Sequence, residues 1–274
     1  MTRDDGILSR EIIRHGAYIC LRVAGEAAAR AAAGLPVPAL ATRLTLANEY
    51  DAAEAPAPDS IAFLQRQAAA PGAIADEGVL HADAVVHVAS RTLGLVDDFC
   101  AEVTRLLGPG VTARVLRGVV HPKNYTSAAM NNFAYAHAVV QQPGRTMPNA
   151  FLVTMSKTAA WWSKGWMERH TYFLPRYDAD GRMVSEGHAL AAAAGIPCLL
   201  RRTYKHLEEP APADGYDFVS YFECADAEVP TFHQVCADLR DVKKNPEWAF
   251  VREGPTWHGR RMPTWPAMLG VAAA

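Results

Sequence analysis

The order in which strand-like and helix-like stretches follow one another repeats once along this chain, and a duplicated order leaves few ways to fold. In the first half, residues 17–23 read as a strand, 25–34 as an Ala-rich helix, 83–90 as a strand, 94–107 as an amphipathic helix and 113–120 as a strand. A polar, Pro-rich stretch at 55–60 reads as a loop. The second half runs the same way, with a strand at 150–155, helical stretches at 159–173 and 184–194, and strands at 198–205 and 218–224. A helix at 229–242 and a last strand at 248–253 complete it. Two β-α-β-β-α-β-like halves predict an α+β fold of two ferredoxin-like repeats, spanning 1–145 and 146–274. Pro143, Gly144 and Pro148 mark the expected joint at 141–149. Each repeat carries its helices on one face of its sheet, so the bare faces must pack together as a barrel-like core ringed by helices. A gap between a sheet and its own helices can then hold a flat apolar ligand.

The 274 residues, half of them hydrophobic, are enough for a core of that size. A formal charge of −2 with scattered Lys and Arg offers no footprint for nucleic acid, so any bound anion must be small and locally held. With neither a secretory leader nor an apolar run of membrane-spanning length, the chain as given is expected to be cytoplasmic, or periplasmic if a leader was removed, with no membrane partner. Cys20, Cys100, Cys198, Cys224 and Cys236 are odd in number, widely spaced and without a C-x-x-C pair. Reduced thiols are expected rather than a disulfide framework or a zinc site.

The common nucleotide, zinc-protease and serine-hydrolase motifs are missing: no G-x-G-x-x-G after a strand, no G-x-x-x-x-G-K-[ST], no H-E-x-x-H, no G-x-S-x-G. A C-x-x-C-H attachment is missing too, so a haem would be held non-covalently and its iron would need a protein ligand such as a neutral imidazole. His188 on a short Ala-rich helix and Arg201 in the following strand could serve a planar cofactor, one on each face. The same spacing also fits a half-exposed histidine and a surface arginine in an ion pair. His170, in the polar run Glu168-Arg-His-Thr-Tyr172, is the rival ligand. Because side chains alternate along a strand, Arg201 and Arg202 should face opposite ways, and only one can reach a cofactor.

Several segments then fall in a familiar order. Gly118-Val-Val-His-Pro-Lys-Asn-Tyr125 comes first, then Val153-Thr-Met-Ser-Lys157 with Trp161-Trp162. After the His188-to-Arg201 unit come Tyr216-Asp-Phe-Val-Ser-Tyr-Phe-Glu223, Phe232, Leu239-Arg-Asp-Val-Lys-Lys-Asn-Pro246 and Glu253-Gly-Pro-Thr-Trp-His-Gly259. Together they resemble the chlorite dismutase family, well over residues 119–259 and only by pattern before that. The resemblance implies a dimeric α+β barrel of two ferredoxin-like repeats, with haem b and its iron in the C-terminal one. His188 then falls on the proximal iron ligand and Arg201 on the distal, catalytic arginine. Asn124, Tyr125, Lys157, Trp161 and Trp162 fall on positions that line the haem or bind its propionates.

The activity implied is conversion of chlorite, a small anionic substrate, to chloride and dioxygen, in a homo-oligomer that is often a ring of five. The related coproporphyrin decarboxylases typically lack the distal arginine. This chain departs from the family in two ways. Where the V-K-E-N segment carries a glutamate, Lys244 stands, and lysine cannot accept the histidine's hydrogen bond; a backbone carbonyl, a water or the nearby Glu247 must do so. Residues 163–187 and 207–215 also read as insertions beside the pocket. Both departures keep open a relative acting on another small oxidant or an N–O compound, and, from a different class, a haem-binding or sensing module without turnover.

Overall fold

Strand pairing runs around this molecule until it meets itself. The computed structural model describes residues 14–51, 59–67, 76–120 and 147–272. Its first half contains β1 (Arg14–Val23), α1 (Glu26–Ala33), α2 (Val37–Arg43), β2 (Ala47–Asn48), β3 (Ser60–Arg66), α3 (Glu77–Leu80), β4 (Ala84–Ser90), α4 (Leu93–Leu106) and β5 (Val111–Val120). The second half contains β6 (Asn149–Lys157), α5 (Ala159–Trp162), α6 (Trp166–Thr171), β7 (Arg176–Tyr177), β8 (Met183–Ser185), α7 (Gly187–Ala191), β9 (Leu200–Lys205), β10 (Phe218–Cys224), α8 (Val229–Arg240), β11 (Val251–Met262) and α9 (Trp265–Met268).

The long strands of the first half lie in the order β5-β1-β4-β3 and those of the second in the order β11-β6-β10-β9. Counted within each half, both orders are fourth-first-third-second, all antiparallel, which is the ferredoxin-like arrangement. The halves join twice. β5 meets β9 at Val119 and Lys205, and β11 meets β3 from Gly259 opposite Arg66 to Met262 opposite Phe63. The fold is therefore α+β, a closed antiparallel barrel of two ferredoxin-like repeats, and closure leaves no long edge strand unpaired among the described residues.

Alternation along the strands divides the apolar residues into three cores. Tyr18, Leu64, Leu152, Tyr204, Tyr221 and Trp257 fill the barrel interior, where the Trp257 indole donates to the carbonyl of Ala82 at 2.8 Å. Ala17, Ile19, Leu21, Val86 and Val88 point outward and are covered by α4, whose Val96, Phe99, Cys100 and Val103 recur at helical spacing on one face. On the other half, α8 lays Phe232, Val235 and Cys236 over Phe151, Val153 and Phe222.

Beyond short elements such as α2, α3 and β7, which the pattern did not announce, the structure departs from expectation in four stretches. β3 follows directly on the expected loop and carries Ile61, Ala62, Phe63 and Leu64 buried on both faces. The stretch 159–173 divides into α5 and α6 around Gly165, the residue preceding the second helix. Where a helix was expected over 184–194, β8 comes first and the helix starts only at Gly187. Finally, Pro246–Phe250 is a 3-10 turn, and the last strand runs from Val251 to Met262 across Gly254 and Pro255. These two sit at a bulge where the register with β6 shifts between Glu253 and Thr256, a place where a proline's missing N–H breaks no ladder bond. No helix among the described residues is long and apolar enough to cross a membrane.

Candidate functional site

Between the outer face of the second repeat's sheet and the helices that cover it lies a cavity of about 390 Å³. His188, Lys157, Trp161, Trp162 and Arg201 all line it. Asn124 and Tyr125 lie outside the described residues.

His188 is held by how α7 begins. The first N–H groups of a helix lack partners within it, and here neighbouring carbonyls supply them. Lys244 O accepts from Glu186 and Gly187, each at 2.9 Å, Tyr172 O from His188 at 3.2 Å, and Phe173 O from Ala189 at 3.3 Å. Gly187 adopts φ +68, and a Cβ there would lie 2.5 Å from Leu174 O, so only glycine fits without displacement. The histidine at the next position is thereby aimed.

The His188 Nδ1–H donates to Glu247 Oε2 at 2.7 Å, which leaves Nε2 with a lone pair for the cavity. Of the three acceptors left open by Lys244, Glu247 is the one in place. Lys244 itself pairs with Asp238, and its contribution at this site is the backbone carbonyl that seats α7. Glu247 Oε1 accepts from the Lys157 ammonium, which also lies 4.4 Å from the Trp161 ring centroid. Burial alone would raise the Glu247 carboxyl, but the hydrogen bonds from His188 and Lys157, together with the Lys157 charge, hold it below the usual carboxylate range. Lys157, only 4 % exposed in its side chain, is paired with this carboxylate at the cavity wall. His170 lies on α6 and is not among the residues lining the cavity.

On the sheet wall, β9 turns Arg201 into the cavity and Arg202 into the barrel, as strand alternation requires. Arg202 Nη1 donates to Glu49 Oε1 at 3.5 Å, beside Arg14 and Arg261. Burial would raise Glu49, yet these three guanidinium groups keep it well below the usual carboxylate range. Arg201, by contrast, is engaged by no hydrogen bond or ion pair among the described residues. Burial lowers its pKa, but a guanidinium stays charged. A half-buried cation that faces a cavity without a hydrogen-bonded partner among the described residues is a place for an anion.

Trp161 is buried and packs against Phe173 and Phe250, whereas Trp162 is partly exposed and its Nε1 has no hydrogen-bond partner among the described residues. Five cationic side chains, Lys157, Arg169, Arg201, Lys205 and Arg240, line the cavity against two carboxylates, Glu209 and Glu247. Arg240 is paired with Glu253 outside the cavity, and Arg169 and Lys205 share Glu209, so a smaller net positive charge remains, which suits a flat ligand with acidic arms. The donor set also fits haem: one imidazole with its other nitrogen tied to a carboxylate, aromatic walls, and surplus positive charge. Thr203, Ser220, Arg169, Lys205 and Glu209 line the same cavity and were not singled out from the sequence. Thr203 and Lys205 had a readable signal, because they stand two and four residues beyond Arg201 on one strand face.

No protein-family model matches the chain, and no curated protein does. Solved structures do. A Trp-to-Phe variant of the chlorite dismutase of Candidatus Nitrospira defluvii, in complex with cyanide, superposes with a TM-score of 0.66 at 19 % identity, covering 98 % of each chain. The same enzyme in complex with imidazole gives 0.66 at 19 % identity, again over 98 % of each chain. TA0507, a protein assigned provisionally as a chlorite dismutase, gives 0.60 at 13 % identity over 94 % of this chain and 98 % of its own. From end to end, then, the chain has the chlorite dismutase fold.

Proposed function

We propose that this chain is a haem b oxidoreductase that converts chlorite to chloride and dioxygen. The observation that carries this reading is the pair of unlike walls on one cavity. A histidine with its Nδ1–H tied to a carboxylate stands on the helix side, and a half-buried arginine with no hydrogen bond or ion pair among the described residues stands on the sheet side. Two of the structural neighbours are in complex with cyanide and imidazole, molecules that bind metals through a lone pair, and a metal centre in this fold is in keeping with that chemistry. Haem, when bound, supplies an iron able to take an oxygen atom from an oxyanion.

The chain's residues supply the rest. His188 offers Nε2 to the iron while Glu247 fixes the tautomer and increases the basicity of the ring. Lys157 keeps that carboxylate ionised. Arg201 holds the anion on arrival and retains its chlorine-containing fragment until the two oxygen atoms are joined. Trp161, Trp162 and Phe173 exclude water from the cavity walls, and Arg169 and Lys205 carry the positive charge that acidic arms need. Assembly as a homo-oligomer, a ring of five by resemblance, belongs to the same proposal.

The test is direct: dioxygen release, followed with an oxygen electrode after chlorite is added to haem-loaded protein. Release in near one-to-one ratio with chlorite consumed supports the proposal. Haem binding without dioxygen release would leave a haem-binding module and remove the enzymatic reading.

A further inference from the structure

On the face of β9 that lines the cavity, Arg201, Thr203 and Lys205 follow one another, and β10 presents Phe222, Ser220 and Phe218 directly opposite them. The middle of this surface is polar where its β10 flanks are aromatic. Thr203 Oγ1 and Ser220 Oγ stand 3.2 Å apart and bond to one another, with either able to donate. No other hydrogen bond to a described residue engages either hydroxyl. Two hydroxyls bring two protons, and their mutual bond uses one. The second remains to be donated into the cavity, and rotation about the Cβ–O bonds decides which oxygen presents it.

The neighbouring Arg201 attracts any anion through its fixed charge, and its planar fork can also take two oxygens side by side. Thr203 is rooted about 7 Å further along the strand, two residues at the usual rise. A single-atom anion bridges two donors only where they converge to about 6 Å, twice a hydrogen-bond length, whereas an anion with a second acceptor oxygen also bridges donors set further apart. We propose that the Thr203–Ser220 hydroxyl pair is the specificity-determining half of the anion site, selecting bent oxyanions of the XO2− type over monatomic anions. This rests on the assignment of Arg201 as the anion-holding group made above, and does not require haem.

The test compares dissociation constants for nitrite, a bent oxyanion, and fluoride, a single atom. Binding is read by visible absorption in haem-loaded protein and by calorimetry in protein without haem. In Thr203→Val/Ser220→Ala, loss of one hydrogen bond to a charged ligand should weaken nitrite about tenfold to a hundredfold and change fluoride less than twofold. Thr203→Ser, which keeps the hydroxyl, should retain the wild-type nitrite constant. An unchanged nitrite constant in the double variant, or equal weakening of both anions, overturns the assignment. If the chain takes up no haem yet shows the expected pattern by calorimetry, the haem proposal falls and the hydroxyl pair stands. If haem binds and the nitrite-to-fluoride ratio stays the same in the double variant, the reverse holds. Failure of the wild-type protein to bind nitrite in either form removes both.

Discussion

Glu247 serves two neighbours with one carboxylate, accepting from His188 on one oxygen and from Lys157 on the other. Removing it strands a buried ammonium, so Glu247→Ala should cost about 3–5 kcal/mol in denaturant unfolding. Replacing both partners by apolar groups, as in Lys157→Met/Glu247→Leu, should recover most of that stability while haem affinity stays about 10–100-fold lower, because the imidazole has lost its acceptor. The sequence pointed to His188 but left its acceptor open. The glutamate comes three residues after the position where the family places it, on a 3-10 turn whose geometry no spacing reveals. Arg201→Ala should lower kcat/KM for chlorite by about 100-fold or more, measured by initial rates of dioxygen release. A different residue makes the fold pH-sensitive. Burial holds His87 down at about 3, with Nδ1–H donating to Ala17 O at 3.1 Å and Tyr204 OH donating to Nε2 at 3.1 Å. A folded-state pKa below that of the unfolded chain gives stability that is complete above about 6.5 and declines as pH falls toward 3. Between pH 7 and pH 5 the loss from this group should be about 2 kcal/mol in urea titrations, and His87→Gln should remove that part of the slope.

At the level of single elements, α7 shows how a five-residue helix can be placed firmly: neighbouring carbonyls hold its N-terminus and a positive-φ glycine sets its entry. Gly187→Ala forces a Cβ against the Leu174 carbonyl as well as into an unfavourable backbone region, and should cost about 2 kcal/mol or more. Its clearer signature should be haem that dissociates faster in a transfer assay to a competing haem acceptor, since His188 is the next residue. Elements with one wet face were legible in the sequence, and α4 is the best case, with buried residues at helical spacing. β3 was not, because Ile61 to Leu64 are buried on both faces and such a run carries no period to read. β11 was hidden for another reason: Gly254 and Pro255 look like a turn, and only its partner β6 shows them to be a bulge within one long strand.

For the molecule as a whole, the duplicated order of elements was the legible part, and the closure was not. Nothing in the local pattern states that β11 pairs with β3 more than 180 residues earlier in the chain, or that β5 meets β9. Those two seams couple the repeats, so unfolding followed by tryptophan fluorescence and by far-ultraviolet circular dichroism should give one coincident transition. Two separable transitions would show that the repeats fold independently of the seams. Trp257, wholly buried inside the barrel, should cost about 3–5 kcal/mol when changed to Ala. β9 lies on one of these seams, with Arg201 on its outer side and Arg202, locked to Glu49, on its inner side. Adjacent arginines of opposite assignment make this strand a two-position key. A one-residue slip in its pairing with β10 would not blur the cavity by degrees but exchange the two guanidinium groups wholesale. The barrel's anchoring carboxylate would then face the wrong arginine.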